Sequence, residues 1–259
     1  MGGLMTAGTF EGGPADGSTD ASAGMPTGGP VAAALAGARG RLAAAAAVAG
    51  GAGTLVEGLR IRLAAVAGGA LAQVNAEVDG RRIRVQRAAA EAGDSLDRVA
   101  DCLLDRIRAV TGAWVPRPWS AAQPPVPLLP LAGGRRIVRR KDPSLVWCTP
   151  EAAARTMDAM DYDIHLFTDP ATETDAVVYR VGPTGYRLAR TMPAGPFGRR
   201  TAPITLSPHG APLLTERQAV ERLERAELPF LFYAHPAGGR GRVLYRRFDG
   251  HLGLLAGRS

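Results

Sequence analysis

The sequence predicts an α+β protein: an N-terminal antiparallel sheet with two helices on one face, followed by two small tandem β-α-β-β-β domains. Three observations carry this reading. Leu59, Ile61 and Leu63 alternate with Arg60 and Arg62, the period of two that marks a half-buried strand. Asp79-Gly80 stands between Gln73–Val78 and Arg81–Gln86 as a two-residue hairpin turn. Thr149–Leu188 aligns without a gap to Thr215–Leu254 at a shift of 66 residues, an internal repeat.

Taken in order, residues 1–30 are mostly Gly, Ala, Ser, Thr and Pro with few large apolar groups, and are expected to be disordered. The first folded block, 31–115, opens with a helix over Val31–Val48 that carries Arg39 and Arg41. The strand around Ile61 follows, then the hairpin. Its turn pairs Val78 with Arg81, Ala76 with Ile83 and Val74 with Val85 on an apolar face, and sets Arg82, Arg84 and Gln86 opposite Glu77, Asn75 and Gln73 on the other. A second helix is expected from Asp94 or Ser95, either of which can cap it. Its Leu96, Val99, Leu103, Ile107 and Val110 recur at helical spacing and should cover the sheet. The arrangement is like that of double-stranded RNA-binding domains.

Residues 116–134 read as a linker that Pro124, Pro125, Pro127 and Pro130 stiffen toward an extended form. The repeat domains then occupy 135–191 and 203–257, joined by a short Pro/Gly break at 192–202. Identities across the shift include Thr149/Thr215, Ala153/Ala219, Pro170/Pro236, Val177/Val243, Tyr179/Tyr245, Arg180/Arg246 and Leu188/Leu254. Each copy has a threonine to open its helix, and Thr215 with Gln218 forms a capping box. Ile164, Leu166, Val177 and Tyr179 in one copy, and Phe230, Phe232, Val243 and Tyr245 in the other, lie at alternating strand positions. A unit of under about 60 residues is marginal alone. These eight residues are therefore expected to form an interface between the copies within one chain, leaving the protein monomeric.

Composition bounds the chemistry. The chain has 259 residues, 46% of them hydrophobic, which is enough for real cores. No apolar run approaches the roughly 18–20 residues of a membrane span, and the N-terminus does not read as a secretory signal, so a cytoplasmic address is expected. Cys102 and Cys148 are the only cysteines, too few for a disulfide framework or a tetrahedral metal set. The four histidines, His165, His209, His235 and His251, have no matching carboxylate pattern, and Asp158, Asp161 and Asp163 lack the spacing of a calcium loop. The Gly-Gly-Arg-Gly at 238–241 lies between two strands and reads as a hairpin turn. No cofactor, no metal and no catalysis are expected.

What remains is charge. The formal net charge is +7, and Lys141 is the only lysine among 31 basic residues. A planar guanidinium fork suits phosphate and guanine edges, and a basic chain favours nucleic-acid partners. On the N-terminal block, Arg60, Arg62, Arg82 and Arg84 share one sheet face, and Arg98, Arg106 and Arg108 add charge on the second helix. Such a face could bind RNA through phosphates and 2′-hydroxyls. It could equally be a solvated polar face, and Asp97, Asp101 and Asp105 on the same helix dilute its charge.

The repeat unit resembles the C-terminal domain of long ribosome hibernation promoting factors. The likeness lies in the RRIVRRK lead strand at 135–141, the threonine-capped helix, the DYDIHLF and LPFLFY strands, and the YRRFDGHLGL ending at 245–254. The N-terminal hairpin, and the helix bearing Asp101, Asp105, Arg106 and Ile107, resemble the same family's rRNA-binding domain. The resemblance implies a β-α-β-β-β-α N-terminal domain that lies in the mRNA/tRNA channel of the small ribosomal subunit and shuts down translation under stress or dormancy. It implies small-subunit rRNA as partner, with Arg39, Arg41, Arg60, Arg62, Arg82, Arg84, Arg87, Arg98, Arg106 and Arg108 as its contacts. Two copies of the C-terminal domain depart from the ordinary long form, and look like the arrangement of some actinobacterial relatives. The family's first strand would lie upstream of Val31, where only Thr9-Phe10 is strand-like. A stand-alone RNA-binding protein and a stress-related protein-interaction module are the alternatives.

Overall fold

The computed structural model describes residues 37–38, 40–44, 48, 53–66, 68–117, 135–181, 185–192 and 203–258. The tail at 1–30, the strand-like Thr9-Phe10, Arg39, nearly all of the 116–134 linker and most of the 192–202 break lie outside the described residues.

The N-terminal domain is a three-stranded antiparallel sheet in the order β1 (Val56–Val66), β2 (Gly69–Val78), β3 (Arg81–Ala89), followed by α1 (Ala92–Thr111). The β2–β3 register pairs Val78 with Arg81, Ala76 with Ile83 and Val74 with Val85, as the turn chemistry predicts. Asp79 and Gly80 both have positive φ, 49° and 74°, which a two-residue turn of this hand requires. Asp79 also pins the start of β1: its carboxylate accepts the Leu55 N–H at 2.9 Å.

The apolar face of this sheet forms one core with α1, in which Val74, Val85, Val99, Leu103 and Ile107 are completely buried. Ala38 and Leu42, from the helical residues near 40, join the same core. The α1 start differs from expectation. The helix begins at Ala92 behind an uncapped Glu91, and Ser95 lies inside the first turn, where its hydroxyl donates to the Ala92 carbonyl at 2.8 Å. Burial of Ser95 and Leu96 against the sheet, rather than a cap, fixes this end.

The repeats follow the expected element order. Copy one comprises β4 (Ile137–Lys141), α2 (Pro150–Ala159), β5 (Ile164–Asp169), β6 (Thr174–Val181) and β7 (Gly185–Arg190). Copy two comprises β8 (Ile204–Leu206), α3 (Glu216–Arg225), β9 (Phe230–Ala234), β10 (Gly241–Arg246) and β11 (Leu252–Ala256). Thr149 caps α2 by accepting the Ala152 N–H, and Thr215 with Gln218 closes the capping box on α3. Gly238 and Gly239 turn the β9–β10 hairpin.

The sheets, however, are not drawn from one copy each. Their orders are β5-β6-β7-β8 and β4-β11-β10-β9. The lead strand of copy one runs parallel to β11 of copy two, and the lead strand of copy two runs parallel to β7 of copy one. The repeats thus exchange their first strands, so each of the two sheets takes strands from both sides of the 192–202 break.

The reason is geometric. Within each copy the segment ahead of the helix touches its own sheet at the far edge, through the parallel bridges Trp147–Thr168 and Leu213–Ala234. The free edge, at β7 or β11, lies two strands away. A short extended connection at about 3.3 Å per residue leads off that edge toward the other copy. Apolar residues follow suit: Ile204 is buried in the core of copy one beneath α2, and the partly buried Ile137 packs against that of copy two beneath α3. Arg140 ties β4 to copy two by a bidentate pair with Glu216 at 2.9 and 2.8 Å.

Between the sheets lies a third core of Ile164, Leu166, Val177, Ala189, Phe232, Val243 and Leu255, with Leu145, Tyr179, Ala211 and Phe230 packed against it. At a shift of 66, nearly every member has its counterpart in the same cluster, which gives the core an approximate two-fold symmetry. Tyr179 and Phe230 meet edge to face at 5.6 Å. Of the eight residues expected at a repeat interface, seven belong to this cluster. The eighth, Tyr245, is buried but outside that cluster, its ring so close over Gly253 that a Cβ there would come within 2.3 Å of it. Asp175 of copy one adds a polar clasp, accepting from Arg240 at 2.7 Å and from the Gly241 N–H at 2.8 Å.

Copy one produced alone, residues 135–192, lacks a partner for both its β7 edge and its inner apolar face. It should therefore form a homodimer that repeats the strand exchange, measured by light scattering on the purified fragment. A folded monomer would contradict the exchange.

His165 makes a second test. It is 2% exposed, with the Tyr162 and Phe167 rings on either side at 6.0 and 6.3 Å, and burial lowers its pKa from 6.5 to about 4. Between those values the unfolded chain binds a proton that the folded chain refuses. Stability is therefore full above about pH 6.5 and falls as the pH drops toward 4, by on the order of 3 kcal/mol. Copy two carries Leu231 at the equivalent position. His165→Leu should flatten this part of the acid limb in urea denaturation measured between pH 7 and 4.

Candidate nucleic-acid interface

On β1, side chains alternate between the core and the open face of the N-terminal sheet. The register places Arg60 beside Asn75 and Arg62 beside Gln73. On the far strand, Arg82 lies beside Glu77, Arg84 beside Asn75 and Gln86 beside Gln73. Strand alternation, with a register shift between Glu57 and Arg60, builds the open face, and Arg60, Arg62 and Arg82 are exposed on it.

The other expected contacts divide. Arg98 is exposed on α1, as is Arg108, which pairs with Asp105 one turn away. Arg41 is exposed, 3.8 Å from Asp97. Arg84, Arg87 and Arg106 belong to a different environment. Arg84 is 2% exposed and Arg106 5%, and all three reach the turn that follows α2 of copy one.

That turn is Met160-Asp161-Tyr162, docked along β3, the edge strand of the sheet. Asp161 has φ of 54°, a left-handed position that aspartate tolerates better than most residues. This conformation ends α2 and turns the carboxylate toward the β3 edge. One oxygen accepts from Arg87 at 2.7 Å and from the Gln86 N–H at 3.2 Å, a donor that an edge strand leaves without a sheet partner. The other accepts from Arg106 at 3.1 Å and from Arg117. Arg84 donates to the Met160 carbonyl at 3.1 Å and lays its guanidinium over the Tyr162 ring at 4.6 Å.

Electrostatics follow from this crowding. Burial disfavours the ionised Asp161, but Arg117, Arg106 and Arg87 outweigh it and hold the carboxyl well below the usual carboxylate range. Arg106 is pushed down to about 10, first by burial and then by the neighbouring Arg117. One turn earlier, Asp158 accepts from Trp114 at 3.1 Å, from the Arg117 N–H at 3.2 Å, from the Tyr186 hydroxyl at 2.6 Å and from Arg180. Burial, and then Asp158, raise the Tyr186 phenol above its ordinary value. Residues 114–117 are thereby fastened to copy one.

Sequence reasoning tested Asp158 and Asp161 only as metal ligands and missed them as anchors. A signal was present in the repeat itself. Copy two carries Glu224, Glu227 and Leu228 where copy one has Asp158, Asp161 and Tyr162. Glu227 keeps the left-handed φ, 50°, but is exposed. The copies diverge where only one of them meets the N-terminal domain.

The chain thus combines a small sheet with exposed arginines and an interlocked pair of α+β repeats. Residues 133–188 match the family model described as Sigma 54 modulation/S30EA ribosomal protein C terminus. Over 214 residues the chain is 42% identical to the dormancy associated translation inhibitor of Mycobacterium tuberculosis, in strain CDC 1551 / Oshkosh and in strain H37Rv alike, covering 76% of each chain. The chain belongs to the ribosome hibernation promoting factor family.

Proposed function

We propose that this protein inhibits translation in dormancy or stress by placing its N-terminal domain on the rRNA of the small ribosomal subunit, in the mRNA/tRNA channel. The observation that carries this reading is the exposed row of Arg60, Arg62 and Arg82 on one open sheet face. Three guanidinium groups projecting from one sheet face offer phosphate and 2′-hydroxyl contacts, with the backbone that carries them already in place. The relatives named for translation inhibition in dormancy support it, as does membership of the family. The site of action is cytoplasmic, and the role is occlusion rather than catalysis. Among the described residues no helix is long and apolar enough to cross a membrane.

Phosphate contacts make log K fall linearly with log salt. Co-sedimentation with salt-washed small subunits should therefore weaken steadily as salt rises. Arg60→Glu, Arg62→Glu and Arg82→Glu together should abolish it at salt where the parent binds. All three side chains are exposed, so the triple variant should keep its thermal midpoint within a few degrees. Undiminished pelleting of the folded variant would assign the contact to another surface.

The pairing of repeats within one chain has a further consequence. A short tether raises the effective concentration of the second copy to about millimolar, which disfavours pairing with a second molecule. The purified chain should be a monomer of 27.0 kDa by light scattering, and sucrose gradients of ribosomes with added protein should lack paired ribosomes. A stable homodimer that joins ribosomes would refute the intrachain assignment.

A further inference from the structure

Three arginines of the N-terminal domain that could serve RNA are already occupied. Arg87 and Arg106 converge with Arg117 on the one carboxylate of Asp161, which also takes the Gln86 N–H, while Arg84 is held by Met160 and Tyr162. An anion that collects three guanidinium groups and a backbone N–H is bound as a phosphate would be. We propose that Asp161 is an intramolecular stand-in for an RNA phosphate, and that copy one guards the β3 edge of the N-terminal domain, so that full engagement of rRNA requires the two to separate. This rests on the functional reading above, since it supposes that the N-terminal arginines serve RNA.

Two features of the junction favour separation over permanent burial. The first is that the cores are distinct. The N-terminal core draws on its own sheet and helices, and copy one contributes only the partly buried Ala159 to it. Copy one has its own core, to which the N-terminal side contributes Trp114. What joins them is mostly polar, and a buried ion-pair network is a weak source of net stability because desolvation offsets its Coulombic gain. Neither core has to be broken for the junction to open.

The second feature is the imbalance of charge. Asp161 alone forms ion pairs with Arg87, Arg106 and Arg117, with Asp158 nearby and occupied by Arg180, and the Nη1 of Arg106 is buried without a hydrogen-bond acceptor. Phosphates along an RNA strand offer more acceptor oxygens and more negative charge, so polyanionic RNA competes well for these side chains. Copy two, whose Glu227 is exposed at the equivalent turn, is not docked in this way.

The test uses the full chain and Asp161→Asn, which removes the charge while keeping a residue type that accepts a left-handed φ. Two quantities are measured: amide exchange at Gln86 without ribosomes, and the dissociation constant for salt-washed small subunits. When only a minority of molecules is open, the apparent constant is weakened by that fraction. Asp161→Asn should expose the Gln86 amide and tighten subunit binding by about tenfold. Tyr162→Leu, the residue copy two carries at this place, should act in the same direction and serves if the first variant misfolds. Binding seen with the variant alone is the strongest support. A folded variant with a freely exchanging Gln86 that binds no tighter than a binding-competent parent overturns the guard and leaves the functional reading standing. Continued protection of Gln86 in the variant also overturns it, because another contact would then hold the junction. Binding by neither protein overturns the functional reading, and the guard with it.

Discussion

Each repeat's three-stranded sheet ends in a row of backbone donors and acceptors at β7 or β11, and its own lead strand does not fill that edge. An open, flat edge beside an apolar face invites aggregation. The solution here is reciprocal. β4 and β8 cross over, Ile137 and Ile204 are carried with them into the opposite cores, and the two inner faces close on one another. The rest of the C-terminal half depends on this closure. Neither α2 nor α3 would have a complete sheet to cover without the strand lent by the other copy.

The N-terminal domain obeys a simpler rule. Alternation along β1, β2 and β3, broken once by the bulge between Glu57 and Arg60, separates an apolar side, filled by α1, from a polar side with exposed arginines. The same alternation leaves β3 as an edge, and that edge is where Asp161 and its neighbours settle. A surface suited to binding a polyanion and a carboxylate suited to imitating one are therefore parts of a single polypeptide.

Much of this was legible in the chain before its structure. The Asp79-Gly80 turn sets the hairpin register through local chemistry, and the apolar positions of α1 follow helical spacing, so both could be read directly. The interface residues Ile164, Leu166, Val177, Tyr179, Phe230, Phe232 and Val243 were legible because a repeated alternating face on two marginal units needs a mate. Strand exchange was not, because the sequence of a lead strand is the same whichever sheet receives it; only the distance to the free edge decides. The buried roles of Arg84, Arg87 and Arg106 were hidden for a related reason. Arginine on a polar face looks solvent-bound until a distant carboxylate is brought to it, and Asp161 lies 55 residues from Arg106 in the chain.

The crossing of β4 into the sheet of copy two also imposes an order on synthesis. β4 is made early, yet its only sheet neighbour is β11, the last strand in the chain to be completed. The front of copy one must wait, unpaired, while the intervening repeat emerges. The N-terminal domain, with a hairpin and a helix made of local contacts, has no such delay. A nascent chain thus passes through a stage in which its arginine face is formed before the interlocked half that restrains it.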